Sequence, residues 1–347
     1  MITQPADRLR KLGTEIFMAA GSPKLKAEFV ADTLVEASLT GHDSHGVVYF
    51  VRYTDRIKQG FIDVNAEPVT VKETESSALI DGMWAFGQVT ALHAMKMAVE
   101  KAKKNVIGAV GAYNCSHIGR VGYYTSWAAR QGLAAMMFVN VGHPTVTIFG
   151  GHGRVVGTNP FSASLPIGKN EPFLLDYATS MVADGKVSVA RAKHEKIPTN
   201  WIRDHNGSQT DDPNAMLEGG WLMPFGEHKG YCLQLLMELM GGVMSGSRSG
   251  LDPESEPPSP NGIFAIAIDP EGFVGSDVFQ ERSSSILNTV RNGKPEQGRR
   301  ILIPGDPEWE TRKKRIEEGI PIPEETWQQI VKRSEELGVD PKYYANK

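Results

Sequence analysis

Gly151-His152-Gly153-Arg154-Val155-Val156-Gly157 comes near the glycine pattern of a dinucleotide-binding loop, with its third glycine one position out of place. That loop works only between a strand that aims it and a helix whose N-terminus meets the pyrophosphate. Here Pro144 precedes the run, and Thr158-Asn159-Pro160 ends any helix at once. The glycines therefore read as a turn, and a Rossmann fingerprint is rejected. A Walker loop is absent as well, because Gly185-Lys186 lacks both the earlier glycine and a following Ser or Thr.

Outward from this turn the chain alternates short apolar runs with helical stripes, the rhythm of an α/β fold. Strands are predicted at 78–80, 106–110, 133–139, 173–175 and 263–268. The stripe Leu92, Met95, Val99 and Ala102 predicts a helix, and Tyr231 to Met244 reads as a buried one. Leu251 to Asn261, with four prolines and three acidic residues, reads as a loop.

Both ends are helical. Leu9, Leu12, Ile16 and Ala19 form one stripe and Ala27, Val30, Leu34 and Ala37 the next, with Ser22 as the expected N-cap, Pro23 at the first helical position and Gly41 as the stop. Two charged helices follow Pro307, over 308–318 and 324–337, with Gly319 to Pro323 between them. The expected organisation is a helical domain built from 1–75 plus 305–347 beside an α/β domain over 76–304, since chain termini tend to lie close together.

The composition, with 347 residues, 40% hydrophobic and 22% charged, is that of a globular chain, and the net charge of -4 gives no support to a nucleic-acid partner. No long apolar run occurs and the first residues lack a signal-peptide pattern, so the expected setting is the cytoplasm, away from membranes. Cys115 and Cys232 are too far apart for a C-x-x-C site and are expected to be reduced thiols. His42, His45, His117, His143 and His152 lie early in the chain, yet no H-E-x-x-H or H-x-H spacing joins them. No metal is expected.

Two imidazole runs carry the chemistry. In Gly41-His42-Asp43-Ser44-His45-Gly46 a hydroxyl, a carboxylate and two imidazoles fall within four positions, enough for a proton donor and its orienting partners. In Asn114-Cys115-Ser116-His117-Ile118-Gly119-Arg120 the cluster follows a predicted strand, the end of an α/β sheet where sites are built. Asp176-Tyr177-Ala178-Thr179-Ser180 and Gly226-Glu227-His228-Lys229-Gly230 are two polar runs suited to an anion, the second with Lys229 in the first turn of a predicted helix.

Six runs in this order resemble the type-2 malate/L-lactate dehydrogenase family over nearly the whole chain. They are Asp43-Ser44-His45-Gly46 with Tyr53 and Gly60, Ser116-His117-Ile118-Gly119, Gly157-Thr158-Asn159-Pro160, Leu175 to Ser180 with Gly185-Lys186, Gly226 to Gly230, and Ile303-Pro304-Gly305-Asp306. Ser116 to Arg120 with Gly122-Tyr123 is most similar to the broad 2-hydroxycarboxylate dehydrogenase branch.

The resemblance implies a homodimer whose mixed-sheet, non-Rossmann domain binds NAD or NADP, and hydride transfer between a 2-oxo acid and its 2-hydroxy acid. It implies cofactor contacts from Asn140, Asp176, Tyr177, Ala178, Thr179, Ser180, Lys229, Gly230, Pro304, Gly305 and Asp306, and substrate contacts from Thr158 and Asn159. His45 and His117 line the reacting centre. His117 is favoured slightly as acid/base because it follows a core strand, with His45 orienting the substrate or, in the alternative, taking the acid/base role itself, and Ser44 and Asp43 as orienters.

One departure concerns the substrate. Many members carry an arginine where this chain has Tyr49, so Arg52 or Arg120 is expected to meet the substrate carboxylate instead. Within the family, reduction of cyclic imine carboxylates and ureidoglycolate or diketogulonate chemistry would use the same residues. Outside it, a metal-dependent hydrolase predicts chelator sensitivity, and a non-catalytic cofactor-binding module predicts binding without turnover.

Overall fold

The computed structural model describes residues 1–168, 170–249, 251–252 and 260–344. Strand β1 (Ile2–Gln4) pairs antiparallel with β12 (Ile320–Ile322), tying the two ends of the chain together. Between them the first helices are α1 (Ala6–Ala19), α2 (Lys24–Leu39), α3 (Tyr49–Lys58), α4 (Gly87–Asn105) and α5 (Gly122–Arg130). The later ones are α6 (Asp184–Ala192), α7 (His228–Met237), α8 (Ser276–Arg291), α9 (Asp306–Glu318) and α10 (Glu324–Glu336).

The main sheet has seven strands in the order β2 (Val69–Glu73), β3 (Ser77–Asp81), β4 (Ile107–Cys115), β11 (Asn261–Ile268), β5 (Ala134–Val141), β6 (Phe161–Leu165) and β7 (Phe173–Tyr177). Only β3 and β4 run parallel; every other neighbouring pair is antiparallel. A three-stranded sheet of β8 (Ile202–Arg203), β9 (Gln209–Thr210) and β10 (Trp221–Leu222) lies apart from it.

Two large cores organise these layers. One joins Leu9, Leu12 and Leu34 from the start of the chain to Ile320, Trp327 and Ile330 from its end, around Phe17, Phe50, Tyr53 and Phe86. Phe17 meets Phe50 edge-on at 5.8 Å and Phe86 at 5.7 Å, and each such buried ring contributes about 1.5–3 kcal/mol through area alone. The other core lies between the main sheet and helices α4 and α5, where small residues such as Ala94, Ala98, Ala112 and Ala265 let helix and sheet approach closely.

Three expectations need correction, and one helix was not expected at all. Ser22 does not cap α2: Pro23 is the cap residue, and the Ser22 hydroxyl donates to the Pro23 carbonyl. Gly319 to Pro323 is more than a spacer, since β12 forms there and is buried through Ile320 and Ile322. The helix over 231–244 is not buried. From Glu238 it widens into a π-helical turn, and Leu239, Val243 and Met244 stay exposed because only Gln234, Met237, Glu238, Gly241 and Gly242 face the sheet. Helix α8, which carries no buried residue, has no counterpart in the sequence reading. The loop read at 251–261 lies largely outside the described residues, and its last residue opens β11.

The 151–157 run has neither a strand before it nor a helix after it, and Gly150 and Gly153 adopt positive φ as a turn requires.

Candidate active site

Asp43 to His45 form a single 3-10 turn between α2 and α3. Helix α9 clamps this turn from the far end of the chain. Arg315 binds Asp43 through both carboxylate oxygens at 2.6 and 3.0 Å and also reaches the Ser38 carbonyl, while His42 faces Glu308 at 3.5 Å. His42 is thus part of the scaffold. Opposite the turn, His117 leaves the end of β4, as a site residue on such a sheet should.

The two imidazoles meet face to face, with ring centroids 5.6 Å apart and planes 23° from parallel. Helix α3 supplies the rest of the wall. Its residues Tyr49, Arg52, Tyr53 and Arg56 recur at i, i+3, i+4 and i+7, one face of a helix. Tyr49 stacks on His117 at 4.5 Å with planes 6° apart, and the Arg52 guanidinium lies 5.1 Å from the Tyr49 ring centroid. Tyr49 is therefore a plate between His117 and Arg52.

Behind His117 is a buried polar group. The Tyr53 hydroxyl lies 2.8 Å from His117 Nδ1 and 3.1 Å from the His117 carbonyl oxygen, and it accepts a 2.7 Å hydrogen bond from Gln88 Nε2. Gln88 reaches this depth because Gly87 lets α4 touch the 116–117 backbone; a Cβ there would fall 2.1 Å from the Ser116 carbonyl oxygen. Ser44 Oγ lies 3.0 Å from His45 Nδ1.

Burial, with His42, Arg52 and Arg120 nearby, lowers the His45 pKa to about 4. Burial, then His45, Arg56 and Arg52, holds His117 well below the usual histidine range. Both rings are therefore neutral at pH 7. Tyr53 is pushed well above the usual tyrosine value by burial and by Tyr49, so its hydroxyl keeps its proton. Cys115, buried beneath the site, is also shifted upward by burial and remains an unreactive thiol.

Arg120 and Asp176 form a buried ion pair at 3.2 Å, their side chains 4% and 7% exposed, and Asp176 also accepts the Gly122 amide at 2.9 Å. The Arg120 Nη2 is buried with no hydrogen-bond partner among the described residues. Helix α6 closes this side, with Gly185 against Ser44, where a Cβ would come within 2.4 Å of the Ser44 Cβ.

Of the expected site residues, Ser44, His45, Tyr49, Arg52, His117, Arg120 and Asp176 gather around this centre. A second group assembles where Thr179 bonds Thr158 through backbone and hydroxyl, Ser180 bridges to Pro224, and Tyr177 packs edge-on against Phe225 at 5.6 Å. Ala178 lies half-buried between them. Lys229 is exposed in the first turn of α7; its amide and that of Gly230 bond back to Gly226 and Phe225, so those two backbone donors are already engaged. Pro304 and Gly305 sit against Leu174, while both Asp306 oxygens are occupied, one by the Ile303 amide and one by Arg291.

Asn140 and Asn159 differ from expectation most. Both are fully buried and both donate to the buried Glu238 carboxylate; Asn159 Oδ1 accepts the Val141 amide and Asn140 Oδ1 the Gly262 amide. Their side chains hold the sheet together below the site. The sequence reading missed Glu238, Gln88 and Arg56. Arg56 was detectable from its spacing to Tyr49 and Arg52, whereas Glu238 and Gln88 acquire partners only through long-range packing.

Two imidazoles held neutral by burial thus lie beside Arg52 and Arg56, for which no ion-pair partner is found among the described residues. The malate/L-lactate dehydrogenase family model matches residues 4–331, and the chain belongs to that family of oxidoreductases. It is 38% identical over 341 residues to hydroxycarboxylate dehydrogenase B of Escherichia coli (strain K12), covering 96% of this chain and 94% of that one. It is similar in structure to malate dehydrogenase from Entamoeba histolytica, with a TM-score of 0.93, 30% identity and coverage of 98% and 99%. Sulfolactate dehydrogenase from Methanocaldococcus jannaschii aligns with a TM-score of 0.91, 33% identity and coverage of 99% and 100%.

Proposed function

We propose that this chain interconverts a 2-oxo acid and its 2-hydroxy acid with NAD or NADP, His117 handling the proton and His45 with Ser44 orienting the substrate. The observation that carries this reading is the stack of Arg52, Tyr49, His117 and His45, which puts a neutral base next to a cation. A bound nicotinamide supplies or removes the hydride. The residues fit such a charged group. Arg120 Nη2 is a buried donor lacking an acceptor among the described residues, and Lys229 occupies a helix first turn, where a cation is disfavoured unless it meets an anion. Tyr177 to Ser180, Lys229 to Gly230 and Pro304 to Asp306 are proposed to hold the dinucleotide on the mixed sheet.

Arg52 takes the substrate carboxylate in place of the arginine lost at Tyr49. Arg56, one turn further along the same helix face, adds a second charge. Because both imidazoles are neutral at pH 7, the free site is set to accept a proton from a 2-hydroxy acid, and an incoming oxo-acid anion favours the protonated ring needed for reduction. The helical part (1–75 with 305–347) would cover the α/β part (76–304). The exposed Leu239, Val243 and Met244 would seat a second copy in a homodimer, with mass in solution as its check.

The direct test follows NADH and NADPH fluorescence across a panel of 2-oxo acids and cyclic imine carboxylates. Turnover with a 2-oxo acid supports the reading, turnover confined to a cyclic imine moves the chain to the reductase branch, and no turnover on any member refutes both.

A further inference from the structure

Three groups surround the Tyr53 hydroxyl, and their chemistry leaves little freedom. A phenol has one proton to donate and lone pairs to accept with. The His117 carbonyl oxygen, 3.1 Å away, can only accept, and the Gln88 amide nitrogen, 2.7 Å away, can only donate. Given to the carbonyl, the hydroxyl proton leaves His117 Nδ1, at 2.8 Å, as the donor to the tyrosine oxygen. Turning the Gln88 amide around gives the same answer, since its oxygen would then claim the phenol proton. Tyr53 is fully buried and Gln88 1% exposed, so water does not readily replace either partner.

We infer that Tyr53 and Gln88 fix neutral His117 as its Nδ1–H tautomer, leaving the Nε2 lone pair as the atom that takes the substrate's hydroxyl proton. This rests on the reading of His117 as acid/base, and it makes Tyr53 and Gln88 positioning residues. In oxidation the substrate O–H bond breaks and an N–H bond forms at Nε2. The imidazolium then keeps Nδ1–H on the tyrosine oxygen and holds Nε2–H toward the new carbonyl oxygen, so one tautomer serves both directions without a ring flip. His45 has no such arrangement. Ser44 Oγ is the one hydrogen-bond partner of its ring among the described residues, and a hydroxyl facing a lone imidazole nitrogen can donate or accept. That contrast distinguishes two rings whose surroundings otherwise look alike.

The test is nitrogen NMR of the full-length protein labelled with 15N-histidine at pH 7, with the His117 signals assigned by their loss in His117→Asn. A proton on Nδ1 and a bare Nε2 are expected; a proton on Nε2 overturns the inference, whatever the activity. Tyr53→Phe should give a mixed tautomer and lower kcat by about 10–100-fold, with KM changed less. It should also move the acidic limb of the kcat/KM profile to lower pH, because the imidazolium loses its acceptor. Gln88→Leu should give a smaller loss in the same direction. Unchanged kcat and pH profile in a folded Tyr53→Phe protein would refute the positioning role. Full turnover by His117→Asn, with the Nδ1–H signal present in the parent protein, would instead refute the acid/base reading and leave the tautomer standing.

Discussion

Arg10 and Arg312 approach Glu36 from two sides, Arg10 also binds Asp7 and Asp32, and Arg315 takes Asp43 with both nitrogens. Arg52 and Arg56 stand on the neighbouring helix with no carboxylate in ion-pair range among the described residues, facing two neutral imidazoles. The belt of α1, α2 and α9 neutralises its charges internally and holds the 3-10 turn in place. The α3 face keeps its charges without a carboxylate partner among the described residues, which leaves attraction available to an anion. Arg120 belongs to both conditions, with Nε satisfied by Asp176 and Nη2 unsatisfied.

The sharpest way to break this division is to remove the ring at its centre. His117→Asn should cut kcat by about 100- to 10,000-fold with the fold intact by circular dichroism, and His45→Asn should fall less. Equal losses would mean the two rings share the proton. Next, Arg120→Met should destabilise the protein by about 3–5 kcal/mol in denaturant titration, because Asp176 is left buried and unpaired. It should also raise KM, which a residue of the belt would not do. Arg52→Gln should raise the KM of the acid substrate about tenfold with no change in Tm, whereas Arg10→Gln should lower stability by up to about 1 kcal/mol and leave KM alone. Exchange of those two outcomes would erase the distinction.

The smallest expected effect is on stability against pH. With its folded pKa near 4, below the usual value of 6.5, His45 contributes stability that is fully present above about pH 6.5 and is lost as the pH falls toward 4. His117 acts in the same direction. The slope of Tm against pH between 7 and 4.5 should be shallower in His45→Asn than in the parent protein; an equal slope would show that the ring is not desolvated.

Much of the site was legible because its chemistry is concentrated in short runs. Ser44-His45 and Ser116-His117 each sit at the end of a regular element, where local sequence decides both the turn and the exposure of the side chain. The α3 stripe was legible in principle, since 49, 52, 53 and 56 differ by helical spacings. Asn140 and Asn159 were not legible in the same way, because an amide beside a ligand and an amide inside a sheet look alike in sequence; their bonds to Glu238 from the π-helical turn, 79 positions beyond Asn159, appear only in the folded chain. Helix 231–244 misled for a related reason. An apolar helix reads as buried, and its exposed side becomes visible only when the sheet is seen to contact the other one.

By itself the sequence determined the alternation of strands and helices, the turn at 151–157 that is no phosphate loop, and the presence of two serine-histidine pairs. Those follow from periodicity, glycine backbone freedom and side-chain type, all of which act over a few residues. The tertiary structure decided which imidazole has a buried tyrosine and glutamine behind it. Tyr53 and Gln88 lie 64 and 29 positions from His117, and no local rule brings them to one hydroxyl; the packing of α3 and α4 against the end of β4 does.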